Sequence, residues 1–299
     1  MSEFVIETNR LSYNFGSLQA VCDLDLRVKK GTIYGFLGPN GAGKTTTIRL
    51  ILGLIRAKRG SIRLFDSKLN TWRSTVFRQV GAMVESPSLY LHLTAYENLE
   101  ITRKLKGVPK SDIDRVLDLV KMRENSNKLV RKFSHGMKQR IGLALALLGE
   151  PELLILDEPF NGLDPQGFRD LRTLILSLAE EGCTIFLSSH ILSEIQQVAG
   201  YVGIINHGKL LYEGPIESLK DSGKLKIQIE VDNTEKALKI LGDKEYNVEI
   251  SNKNQLLLNV RDKPEAAEIN TILIEKGILV YQLSYIQENL EEIFLDLTG

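Results

Sequence analysis

Eight consecutive residues, Gly38-Pro39-Asn40-Gly41-Ala42-Gly43-Lys44-Thr45, constrain this chain more than any other stretch. They satisfy the spacing G-x-x-x-x-G-K-[ST], in which glycines let the backbone close around a guest and turn successive N–H groups inward. Such a nest suits an anion, and a helix starting at its end adds the positive pole of its dipole. Lys44 can reach the β- and γ-phosphates of a nucleoside triphosphate held there. The Thr45 hydroxyl can ligate Mg²⁺, and Thr46 follows as a further binding candidate. A glycine-rich turn that binds nothing is the bland alternative. It is disfavoured because residues 32–37 read as an apolar strand entering the turn and residues 44–55 as a helix leaving it.

The rest of the pattern agrees. Leu24, Leu26 and Val28 alternate with charged residues, which predicts a half-buried strand over 24–28. Further strands are expected at 61–65, 80–84, 153–156, 184–188, 202–205 and 209–212, and helices at 165–180 and 191–199. Residues 86–150 change character to mostly helical, with helices at 97–106, 113–120 and 136–148. Alternation of this sort implies an α/β fold, a mainly parallel sheet flanked by helices. The polar stretch KDSGK marks a boundary near residues 220–223. Beyond it, strands at 225–231, 246–250, 255–260 and 278–283 with helices at 234–241, 264–276 and 286–297 make a small α+β domain. The expected domains are 1–220, with a helical subdomain at about 86–150, and 221–299.

Composition narrows the setting. The 299 residues suffice for one large domain and a smaller one. Lys+Arg and Asp+Glu balance at 38 each, so nothing steers the chain toward nucleic acid or an anionic membrane. Cys22 and Cys183 lie far apart and in no metal-binding array, which fits a reducing compartment. No run approaches the roughly 18 apolar residues of a membrane helix. The opening MSEFVIETNR has no apolar core and is not read as a secretory signal. The expectation is a soluble cytoplasmic protein; any membrane-spanning part would be a separate chain.

A second motif supplies acid. In Leu153-Leu154-Ile155-Leu156-Asp157-Glu158 four apolar residues bury a strand and two carboxylates emerge at its C-terminal end. Asp157 is placed to hold Mg²⁺, and Glu158 to act as general base on an attacking water. Between the two motifs stands Phe133-Ser134-His135-Gly136-Met137-Lys138-Gln139-Arg140, which resembles the L-S-G-G-Q signature of the ATP-binding cassette (ABC) transporter family.

The resemblance implies a P-loop NTPase fold with a helical subdomain and an antiparallel β part. It implies ATP and Mg²⁺ as cofactors and two copies closing on two ATP molecules. Ser134, His135, Gly136 and Met137 would then face the ATP of the other protomer; His135 and Met137 depart from the usual Gly and Gln. Asp164, ending Asn161-Gly162-Leu163-Asp164, resembles the D-loop of that dimer interface. His190 resembles the switch histidine that contacts the γ-phosphate. Phe15 resembles the aromatic that stacks on adenine, with Tyr13 as the fallback. At Glu85 the family usually has Gln, whose amide touches Mg²⁺ and the water. A Glu there is similar to the bacitracin exporter and lantibiotic (bacteriocin) immunity subfamily of drug-type exporter ATPases, as is the closing segment 290–299.

The implied function is an ATP-hydrolysing subunit, with Glu158, His190 and Glu85 in catalysis and Thr45, Asp157 and Glu85 at the metal. It would power a separate integral membrane permease, export a peptide antibiotic or similar amphiphile, and bind no nucleic acid. It would sit on the inner face of the cell membrane through that permease. An ABC-type ATPase acting on ribosomes or nucleic acid, and a weakly catalytic regulatory module, are the other readings.

Overall fold

The computed structural model describes residues 3–69, 74–221, 225–244, 246–252, 254–287 and 290–299. The chain divides into two compact units, one over Met1–Ile216 with Thr298 and one over Glu217–Leu297 with Gly299. Part of the polar boundary stretch, residues 222–224, lies outside the described residues.

In the first unit a central sheet carries β4 (Ile33–Leu37), β7 (Val80–Met83), β8 (Leu153–Asp157), β9 (Thr184–Ser189), β10 (Tyr201–Asn206) and β11 (Lys209–Pro215). Their order is β11-β10-β4-β9-β8-β7; all neighbours are parallel except β11 against β10. Every residue of β8 and β9 is buried, as parallel strands covered on both faces require. An antiparallel sheet joins β1 (Phe4–Phe15), β2 (Leu18–Leu24), β3 (Arg27–Lys29), β5 (Arg59–Leu64) and β6 (Ser67–Lys68). The α/β architecture with an antiparallel part is therefore the one expected.

The strand expected at 24–28 is broken in two. β2 ends at Leu24 and β3 starts at Arg27, because the buried Thr8 hydroxyl donates to Leu24 O and accepts from Leu26 N, both at 2.8 Å. Asp25 turns outward and accepts from Arg10 N.

The helices of this unit are α1 (Lys44–Ile51), α2 (Ser74–Phe77), α3 (Ala95–Lys106), α4 (Ser111–Leu119), α5 (His135–Leu147), α6 (Pro165–Glu180) and α7 (Leu192–Ile195). α1 stops four residues short of expectation, where Gly53 takes φ 66°. α7 is one turn rather than the nine residues expected. α3 starts at a capping box: Thr94 Oγ1 accepts from Glu97 N, and the Glu97 carboxylate accepts from Thr94 N. α8 (Ile216–Asp221) follows β11.

The second unit holds β12 (Leu225–Val231), α9 (Thr234–Gly242), β13 (Val248–Asn252), β14 (Gln255–Val260), α10 (Lys263–Glu275), β15 (Val280–Gln287) and α11 (Leu290–Thr298). Its antiparallel sheet has the order β13-β14-β12-β15, the split β-α-β arrangement. Ile227, Ile229 and Val231 alternate with Gln228 and Glu230 along β12, and pack with Leu256, Leu258, Leu241, Ile269 and Leu273. The final helix begins at Leu290, not at 286. Ile286 instead pairs with Lys226 in the sheet.

Candidate active site

Adjacent strands deliver the chemistry to one edge of the parallel sheet. β4 ends at Leu37 opposite Ser189 of β9, and β9 places Ser188 opposite Asp157 of β8. Ligands bind at such carboxyl ends in open α/β sheets. The loop leaving β4 has no room for a side chain at Gly38 or Gly43. A Cβ on Gly38 would collide with Ile205 O, and Gly43 takes φ 110° with Ala20 O where a Cβ would stand. Gly43 is the N-cap of α1 and no side chain caps that end, so the first turn of the helix keeps its N–H groups for an anion. Pro39, Asn40, Gly41 and Ala42 form the intervening turn, closed by Ala42 N donating to Pro39 O.

Lys44 is almost fully buried. Its Nζ donates to Gly38 O at 2.7 Å and Pro39 O at 3.2 Å, and lies 3.1 Å from Glu158 Oε1. The other Glu158 oxygen is 2.9 Å from His190 Nδ1. An ionised Glu158 can only accept, so Nδ1 carries the proton of this bond. Thr45 Oγ1 donates to Asp157 Oδ2 at 2.8 Å. Five of the residues expected from sequence, Lys44, Thr45, Asp157, Glu158 and His190, thus fall into one small cluster.

Sequence reasoning missed what holds that cluster. Ser188 Oγ donates to Asp157 Oδ1 at 2.6 Å and accepts from Glu158 N at 3.0 Å, fixing the Asp157 carboxylate and the Glu158 backbone at once. Ser189 O accepts from Gly38 N, while its hydroxyl donates to Glu194 and accepts from Ile191 N. Burial raises the Glu194 carboxyl above its ordinary range, against the pull of the Ser189 hydroxyl. Two serines ending a wholly buried strand were the available signal.

Other expected residues lie apart from the cluster. The Glu85 carboxylate accepts from Arg49 Nη2 at 2.7 Å. Ser134 caps α5, accepting from Met137 N, and is exposed; His135 is also exposed and packs on Gly162. Gly136 and Met137 form the first turn of α5, and Asp164 caps α6 through Gly167 N at 2.8 Å. Among the described residues no hydrogen bond joins Ser134, His135 or Asp164 to the phosphate loop. Further along these two helices Arg140 Nη2 meets Asp170 Oδ2 at 2.8 Å, and Lys121 Nζ meets Asp170 Oδ1 at 2.9 Å. Phe15, at the end of β1, is 46% exposed and edge-on to Tyr13 with ring centres 4.9 Å apart. Ala20 of the paired strand β2 lies against Gly43.

No helix among the described residues is long and apolar enough to cross a membrane, and no group of three or more His, Cys, Asp or Glu among them could hold a metal. The oxygen pair of Thr45 and Asp157 instead fits Mg²⁺, which takes few protein ligands and completes its shell with phosphate and water.

The family model described as ABC transporter matches residues 21–161. The bacitracin transport ATP-binding protein BcrA of Bacillus licheniformis is 44% identical over 299 residues, 99% of this chain and 97% of that protein. The lantibiotic transport ATP-binding protein SrtF of Streptococcus pyogenes is 39% identical over 209 residues, 70% of this chain and 90% of that protein. A solved structure of an ATP-binding subunit of an ABC transporter superposes with a TM-score of 0.67 at 30% identity, over 73% of this chain and 92% of that one. With its phosphate loop, paired carboxylates and histidine gathered at one sheet edge, the chain belongs to the ATP-binding subunits of ABC transporters and is an ATPase of that family.

Proposed function

We propose that this ATPase powers a separate membrane permease that exports a peptide antibiotic or similar amphiphile, on the inner face of the cell membrane and without nucleic acid. The observation that carries the catalytic reading is the continuous set of contacts Lys44–Glu158–His190 beside Thr45–Asp157. The cargo is supported by relatives whose names refer to bacitracin and lantibiotic transport.

A triphosphate entering the loop competes with Glu158 for the Lys44 ammonium. Once released, the Glu158 carboxylate is free to accept a proton from the attacking water. His190 meets a phosphate oxygen as donor only as the imidazolium, or after turning off Glu158. Thr45 and Asp157 would hold Mg²⁺, which supplies positive charge for the phosphate oxygens; Glu85 is the remaining metal candidate. Phe15 would stack on adenine, with Tyr13 behind it.

Ser134, His135, Gly136, Met137 and Asp164 form the second half of a site that two copies complete. The exposed N-terminus of α5 supports this, because its cap is a hydroxyl able to turn to a phosphate. Residues 221–299 would be an accessory domain beside the nucleotide-binding domain.

Glu158→Gln tests the catalytic core. Turnover should fall by roughly 10²–10⁴-fold, and an ATP-dependent dimer should accumulate on size exclusion. Unchanged turnover would remove Glu158 from the mechanism.

A further inference from the structure

Glu85 follows the end of β7 by two residues and takes φ 55°, a left-handed conformation that residues with side chains rarely adopt. Something must hold it there. Its carboxylate is bound by Arg49, which lies four residues after Thr45 in α1, so Thr45 and Arg49 share one helix face a turn apart. β7 runs beside β8 with Met83 opposite Leu156, so the chain leaving β7 emerges next to Asp157. The ion pair therefore ties the Glu85 carboxylate to the residue one helical turn beyond Thr45, whose hydroxyl meets Asp157.

A carboxylate in this place has an electrostatic cost. A triphosphate in the loop adds several negative charges a short distance away, and an uncompensated acid at the rim repels them. Both partners are partly solvated, with side chains 37% and 57% exposed, so the pair contributes little to folding. Its consequence falls on the bound anion.

Resting on the ATP site proposed above, we propose that Arg49 is a positioning residue. It anchors Glu85 at the rim of the phosphate site and neutralises it against the incoming triphosphate. Acting through Glu85, it allows the chain to carry an acid at the strand end beside Asp157.

The test is the affinity for a fluorescent ATP analogue, titrated in EDTA and again in Mg²⁺, for the full chain and its variants. Arg49→Met should weaken binding roughly three- to tenfold at low ionic strength, more in EDTA than in Mg²⁺. Arg49→Lys, which keeps the charge, should retain most of the affinity and also serves if the Met variant folds poorly. In EDTA, where no metal is held, adding Glu85→Gln to Arg49→Met should restore wild-type binding. The inference is overturned if Arg49→Met binds as wild type, if Arg49→Lys loses as much as the Met variant, or if the loss in EDTA persists beside Glu85→Gln. A wild-type chain that binds no analogue would overturn the ATP site itself, and Arg49's role with it.

Discussion

Ser188 shows how few atoms govern the site. One hydroxyl donates to Asp157 and accepts from Glu158 N, so both acidic residues take their position from it. Asp157 is 2% exposed, and losing a bond to a buried carboxylate is costly. Ser188→Ala should lower stability by roughly 1–3 kcal/mol, read by urea unfolding, and should also reduce ATP turnover. Wild-type turnover in this variant would show that the carboxylates need no such support. Glu158 adds strain of its own, with φ 50°. A backbone in that region persists only when its surroundings over-determine it, and here Lys44, His190 and Ser188 do so.

At the scale of elements, the motifs were legible wherever the information was local. The phosphate loop is eight residues in a row, and the strand before Asp157 is a plain apolar run. β1 was illegible because Arg10 sits at φ 43° and the register against β2 and β5 shifts along the strand, so its alternation is broken. Ile286 was read as helix because short apolar patterns fit either period, and only pairing with Lys226 decides. The partners of Ser188 and Arg49 could not be read, since Asp157 and Glu85 lie more than 30 residues away from them. The tie between α5 and α6 is of the same kind. Hydrogen bonds from Lys121 and then Arg140 lower the Asp170 carboxyl from its ordinary 3.8 to about 2. A depressed folded value means this stabilisation is fully present above about pH 4 and is lost as pH falls toward 2. Asp170→Asn should therefore unfold at lower urea than wild type near neutrality, with the gap closing as pH falls through that window. A gap independent of pH would show that the carboxylate's charge is not what ties the helices.

At the scale of the whole molecule there are two cores. One gathers Tyr34, Phe36, Ile48 and Phe186 around the phosphate-loop strand, and the other gathers Ile227, Leu256, Ile269 and Leu273. Leu273 is fully buried, so Leu273→Ala should cost about 2–5 kcal/mol, felt by residues 217–297. Calorimetry should show one transition lowered, while the affinity for an ATP analogue stays unchanged; a lost affinity would show that the two cores do not act separately. The Arg140–Asp170 pair has a wider meaning. Arg140 lies six residues after Ser134, and Asp170 six after Asp164, so the tie is equally far from both caps. The two helix starts proposed to meet a second copy are thus braced against each other by one ion pair. If two copies close as proposed, a push on Ser134 would pass through this tie toward Asp164, and each copy would bite as one plate rather than through independent fingers.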